Sequence, residues 1–212
     1  MIRLLRRSFV LKTKKNLCKY LKNNQHLYIQ DIIETNSEDK SSLKKELEVL
    51  DFNWDQKKYK RYKLIENIYC YKNPSQKYFL DDMISKFKAI FLELSFSKID
   101  FLFEVKNKWI QKKFITKEFQ ESYSELRKYI LSSSEISVFR VDIEDINSIF
   151  KLSYFNNRFI ASNPPIIFSS NDDSFIGYLC QYGNIHIYTT NLSNTKKTQK
   201  VFLSQGFEIC KC

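Results

Sequence analysis

Ile185 to Cys212 reads IHIYTTNLSNTKKTQKVFLSQGFEICKC, and its pattern decides how the rest of the chain is read. Ile185 and Ile187 alternate with His186 and Tyr188, the period of two expected of a half-buried strand. Thr189 and Thr190 put two hydroxyls at the strand end, and Asn191 and Ser193 follow. Side chains of this kind bond their own turn or donate to phosphate oxygens. Lys196, Lys197 and Lys200 lie just beyond, and Gln205 to Lys211 closes as a second strand. The segment thus reads as a strand, a hydroxyl-rich turn, a short basic stretch and a closing strand: a phosphate-facing ridge on a rigid support.

A second stretch has the same character. Phe79 to Ile90, FLDDMISKFKAI, reads as a helix with Asp81 or Asp82 at its positive N-terminal end. Met83, Phe87 and Ile90 recur on one apolar face. Ser85, Lys86 and Lys88 lie off that face, where they are free to meet a phosphate backbone. Between the two stretches the pattern gives a strand near 96–101, a helix near 102–113, helical residues from Tyr123 to Leu131, a strand at Ile136 to Val141 and a short helix at Ile143 to Phe150. Leu152 to Phe155, LSYF, reads as a further strand, and Asn163-Pro164-Pro165 marks a boundary.

Four stretches, in order, resemble the universal small-subunit ribosomal protein eight family in its bacterial and organellar form. That family has an alternating apolar strand, Ser-Thr-x-x-Gly, a Thr-led basic segment and a final Gly-Gly-Glu-Val-Leu-Cys-Tyr. Thr189, Thr190, Asn191, Leu192 and Ser193 stand at the Ser-Thr-x-x-Gly, and Gln205 to Lys211 at the ending. Ser193 replaces the family glycine, and Leu192 the basic residue usually before it. Phe79 to Ile90 is similar to the family's opening helix. Trp109 to Phe119, WIQKKFITKEF, resembles its second helix and following strand, and LSYF its Leu-x-Tyr-Phe strand. The linker at Asn163 to Pro165 lacks the family's arginines.

The resemblance spans roughly residues 78–212 and implies an α/β fold of the α+β kind. Residues 78–162 form an N-terminal α-β-α-β-β half, and 163–212 a mostly β half. Residues 1–77 precede them as a basic, partly helical extension. The resemblance also implies a structural constituent of a small ribosomal subunit, with RNA-binding residues Thr189, Thr190, Asn191, Ser193, Lys196, Lys197, Ser85, Lys86 and Lys88. Its partners would be the central domain of small-subunit rRNA and neighbouring proteins, notably protein five.

Composition agrees with an anionic partner. The chain has 212 residues, 35 Lys and Arg against 24 Asp and Glu, and a net charge of +11. It is 43% hydrophobic, with no uninterrupted apolar run long enough to span a membrane. Three glycines, Gly177, Gly183 and Gly206, cannot write a Gly-rich phosphate loop. The ending LSQGFE is similar to acetyl-CoA-dependent acyltransferases, whose pyrophosphate loop needs glycines missing here. Asp142, Glu144 and Asp145 read as charges at a helix start, and neither Thr189 nor Thr190 has a recognisable histidine base. The expectation is a protein that is no enzyme and needs no metal, cofactor or small-molecule substrate. Five scattered cysteines read as thiols of a reducing compartment, without a disulfide framework.

The N-terminal residues up to Gln30 carry Arg3, Arg6, Arg7, Lys12, Lys14, Lys15, Lys19 and Lys22 and no acid. They resemble a mitochondrial transit peptide, or read as a basic tail that orders on RNA. Gln56 to Leu64, QKKYKRYKL, mixes cations with tyrosines that suit phosphates and exposed bases. The expected setting is the mitochondrial ribosome, with the plastid as second choice. The competing reading is a basic accessory subunit of another mitochondrial complex, such as a respiratory-chain assembly.

Overall fold

The computed structural model describes residues 1–35, 44, 47–52, 59–71, 78–107, 109, 116–130, 137–159 and 164–211. Outside them fall residues 56–58 of the basic-tyrosine stretch, residues 110–115 of WIQKKFITKEF, Asn163 and Cys212. Among the described residues the fold is α+β: six helices and one eight-stranded antiparallel sheet.

The chain runs β1 (Ile2–Arg6), α1 (Arg7–Thr13), α2 (Lys15–Thr35), β2 (Ile65–Tyr71), α3 (Phe79–Glu93), β3 (Lys98–Phe103), α4 (Lys117–Arg127) and β4 (Ser137–Asp142). A 3-10 turn (Ile143–Asp145) leads to α5 (Asn147–Phe159), β5 (Ile166–Ser170), β6 (Ile176–Leu179), β7 (Ile185–Thr189), α6 (Leu192–Ser204) and β8 (Phe207–Ile209). The sheet order is β1-β4-β3-β5-β6-β7-β2-β8. Helix α5 joins β4 to β5 across β3, and α6 joins β7 to β8 across β2.

Both faces of the sheet are covered, and strand alternation sorts the residues between them. Phe101, Phe103, Phe139, Val141, Phe168, Ile185 and Ile187 face α3, α4, α5 and α6. Their neighbours Leu102, Val138, Ile167 and Ile176 face α1 and α2. The first layer is unusually aromatic: Phe87 of α3 meets Phe91, Phe150, Phe168, Phe202 and Phe207. Fully burying one such ring stabilises by about 1.5–3 kcal/mol.

Several expectations need correction. The described parts of residues 1–77 are not appended to the fold: β1 lies on one edge of the sheet, and β2 pairs between β7 and β8. The acid-free start does not thread away as a tail, because its charges find acids elsewhere. Buried Arg7 grips Asp51 with two hydrogen bonds of 2.8 and 2.7 Å. Buried Lys14 lies 2.7 Å from Asp100, which also holds Arg140. Asp173, from the β5–β6 turn, accepts from the amides of Asn16 and Leu17 and closes the start of α2.

LSYF is helical and sits within α5. Ile149, Phe150, Ser153 and Asn156 are buried at helical spacing, a period that four residues are too short to reveal. The helix expected near 102–113 begins instead as β3, whose Phe101, Leu102 and Phe103 are buried on both faces and so lose their alternation. The basic stretch after Asn191 is α6, a full helix. Its buried side is Thr195, Thr198, Val201 and Phe202, and the two threonines mask the apolar period. Cys70 and Cys210 form a disulfide across the β2–β8 edge, against the expectation of thiols throughout.

Candidate nucleic-acid interface

The expected RNA-binding residues fall on two neighbouring helices and the strand end between them. Helices α3 and α6 cover the same face of the sheet and pack together, with the rings of Phe87 and Phe202 edge to face at 5.8 Å. Ser85 is exposed on α3, and Lys86 is half-buried, its ammonium 5.7 Å above the Tyr71 ring. Lys88 turns the other way and donates to the Glu144 carbonyl oxygen at 2.8 Å. On α6, Ser193, Lys196, Lys197 and Lys200 are all exposed.

The turn residues divide by orientation. Thr189 is buried, and its Oγ1 lies 2.6 Å from that of buried Thr195. Thr190 is half-exposed. Asn191 is exposed but caps α6, its Oδ1 accepting from the Asn194 amide at 2.8 Å. Leu192, where the resembled family carries a basic residue, is 67% exposed. The surface available to a phosphate backbone is therefore Ser85, Lys86, Thr190, Ser193, Lys196 and Lys197, with Lys200 added. Lysines on a rigid helix supply point charges, and hydroxyls add directed hydrogen bonds. Lys200 was legible in the sequence as part of the basic segment. Its place beside α3 follows only from the helix.

No family model, curated protein or solved structure matches this chain.

The opposite face carries a separate cleft of about 750 Å³ between α2 and residues 59–66, edged by Tyr20, Asn24, Gln30, Arg61, Lys63 and Tyr188. The tyrosines expected to stack on bases are largely engaged there. Tyr59 stacks on His26 with ring centroids 3.7 Å apart, and its hydroxyl donates to Asn23 Oδ1. The Tyr62 amide donates to the same oxygen, and the Tyr62 carbonyl accepts from Asn23 Nδ2. Tyr59 and Tyr62 therefore pin this segment to α2. His186 is buried against Tyr178 and hydrogen-bonded to Glu66.

Among the described residues no three His, Cys, Asp or Glu side chains gather in a metal-ligating cluster. No helix there is long and apolar enough to cross a membrane.

Proposed function

We propose that this protein binds RNA through the α3–α6 face, as a structural component of the small subunit of an organellar, most simply mitochondrial, ribosome. The observation that carries the reading is the adjacency of two sequence-distant stretches. Ser85 and Lys86 lie on one helix, and Ser193, Lys196, Lys197 and Lys200 on the helix packed beside it. Each stretch resembles a different part of the ribosomal protein eight family. The net charge of +11 adds a long-range attraction for phosphates.

Binding on this reading is electrostatic and geometric. The exposed lysines neutralise phosphates and release counterions, which gives affinity and a steep salt dependence. Ser85, Thr190 and Ser193 direct hydrogen bonds at spacings fixed by the two helices, and so select an RNA shape. No bond is made or broken. The RNA is the central domain of small-subunit rRNA, and neighbouring small-subunit proteins, notably protein five, are the expected protein contacts.

The test is titration of the full chain with a transcript of that rRNA domain and with an unrelated structured RNA at matched salt. The expected result is preferential binding to the rRNA domain, weakened when Lys196, Lys197 and Lys200 are all changed to Ala. Equal affinity for both RNAs removes the ribosomal assignment. Absence of binding to either removes the RNA reading.

A further inference from the structure

Helix α2 and residues 59–64 are the two walls of the cleft of about 750 Å³, and Glu66 of β2 and Tyr188 of β7 close it from the sheet side. The walls are already fixed to each other. Asn23 of α2 takes the Tyr59 hydroxyl and the Tyr62 amide on its Oδ1, and gives its Nδ2 to the Tyr62 carbonyl. The Tyr20 and Tyr188 rings meet at 4.9 Å, tilted by 59°, where α2 reaches the sheet. A cleft held open in this way costs a ligand little reorganisation, and its volume is that of a small-molecule site.

Three donors of the lining are spent on carboxylates. The Tyr20 hydroxyl and Asn24 Nδ2 donate to Glu104 Oε1 at 3.1 and 2.5 Å, and the Tyr188 hydroxyl donates to Glu66 Oε1 at 2.6 Å. His186 Nδ1 lies 2.7 Å from that same Glu66 oxygen. Two acceptors of the lining are left with no donor among the described residues, Asn24 Oδ1 and Glu66 Oε2. Arg61 and Lys63 are exposed at the mouth, and neither pairs with an acid among the described residues. The apolar surface left open is that of Leu27, 52% exposed, with half-buried Tyr62 and Leu64.

The complement of this lining is a molecule with an anionic group, a flat apolar body and adjacent hydrogen-bond donors. Any nucleotide supplies the first two, and the base decides the third. Guanine carries N1–H and the N2 amino group side by side on its pairing edge. Adenine and cytosine set a ring acceptor beside their amino group, and uracil flanks its one N–H with two carbonyls. Only guanine meets two open acceptors with two adjacent donors. The other bases bring an acceptor against an acceptor, which leaves buried polar groups unmatched.

We propose that this cleft binds a guanine nucleotide, free or as an unpaired residue of an RNA. Asn24 Oδ1 and Glu66 Oε2 accept from the base, and Arg61 and Lys63 meet the phosphate. A carboxylate acceptor makes the base contact the stronger for being charged, and the two cations add attraction that any nucleotide shares. Base identity is thus read on the sheet side and the phosphate at the mouth. The site is independent of the RNA-binding reading, since it shares no residue with the α3–α6 face.

Calorimetric titration of the full chain with guanosine and uridine monophosphates at one salt concentration tests this. Guanosine monophosphate is expected to bind about tenfold tighter, the scale of one charged hydrogen bond. Glu66→Gln, a change at an exposed position, should bring the two within about threefold and leave the uridine nucleotide's affinity unchanged. Arg61→Ala with Lys63→Ala should weaken both nucleotides alike, because both carry the same phosphate. Changing Lys196, Lys197 and Lys200 to Ala should alter neither affinity, so failure of the α3–α6 reading and failure of this one are told apart. In that triple variant, an oligouridine with one guanosine that binds tighter than guanosine monophosphate identifies an RNA residue as the occupant. Weaker binding of the oligomer identifies the free nucleotide. Equal affinities for the two nucleotides, a guanine preference untouched by Glu66→Gln, or no binding at about 1 mM nucleotide overturns the proposal.

Discussion

The side-chain oxygens of Thr189 and Thr195 lie 2.6 Å apart in the interior, tying the end of β7 to the first turn of α6. Thr195 also donates to the Asn191 carbonyl, so the hydroxyls hold the helix start in place. Of the two adjacent threonines, Thr189 is therefore occupied in the interior, while Thr190 stays half-exposed. Thr189→Val is expected to cost about 1 kcal/mol of stability, the net worth of one hydrogen bond, with RNA affinity unchanged. Thr190→Ala should weaken RNA binding and leave the urea midpoint where it was. Unfolding curves and RNA titrations at one salt concentration check both; a swap of the two phenotypes would place the wrong hydroxyl on the RNA.

Lys86 and Lys88 differ in the same way. Lys88 already donates to the Glu144 carbonyl, whereas Lys86 stands over the Tyr71 ring on the flank of α3 nearer β2. Lys86→Ala is expected to lower the slope of log affinity against log salt by about 0.7–0.9, one phosphate contact. Lys88→Ala should leave that slope unchanged. Measuring binding across a salt series separates a lost phosphate contact from a general loss of structure.

Legibility followed the length of the pattern and the number of faces an element buries. Helix α3 was readable because Met83, Phe87 and Ile90 repeat against exposed polar residues over its full length. Strand β7 was readable because its two faces differ, isoleucines on one and His186 and Tyr188 on the other. Helix α6 was hidden by threonines on its buried side, and β3 by apolar residues on both of its faces. The place of Arg7 and Lys14 was illegible for another reason. Their partners Asp51 and Asp100 are distant in sequence, and a run of cations looks solvated until the fold supplies the acids. The exposed lysines of α6 were legible by type, whereas the His186–Glu66 contact needs β2 inserted beside β7, which no local pattern announces.

Glu104 gives a pH prediction. Its carboxyl accepts from the Tyr20 hydroxyl at 3.1 Å and from Asn24 at 2.5 Å, and burial raises it above the ordinary value of 4.5 despite those donors. A raised carboxyl binds its proton more tightly folded than unfolded. Its contribution is thus most favourable below pH 4.5, and is lost as pH rises from 4.5 through the higher folded value. Glu104→Gln keeps an accepting oxygen and removes the charge. It is expected to raise the denaturant midpoint at pH 7 and to change it little at pH 4. A variant destabilised equally at both pH values would show that the carboxyl's hydrogen bonds outweigh its burial.

The Cys70–Cys210 bond joins residues 140 apart in sequence and fastens β8, a three-residue edge strand, to β2. So short a strand contributes few ladder hydrogen bonds of its own, while a cross-link closing so long a loop removes much freedom from the unfolded chain. Reduction, or a Cys70→Ser and Cys210→Ser double substitution, is expected to lower stability by about 2–5 kcal/mol. The loss should concentrate at the edge. Amides of β8 and of β2 facing it should exchange hydrogen faster on reduction, while those of β3 and β5 at the centre of the sheet keep their order of protection. Mass mapping without reductant identifies the bond, and exchange with and without reductant locates its effect. Uniform acceleration across the whole sheet would mean that the disulfide holds the fold globally and not its C-terminal edge.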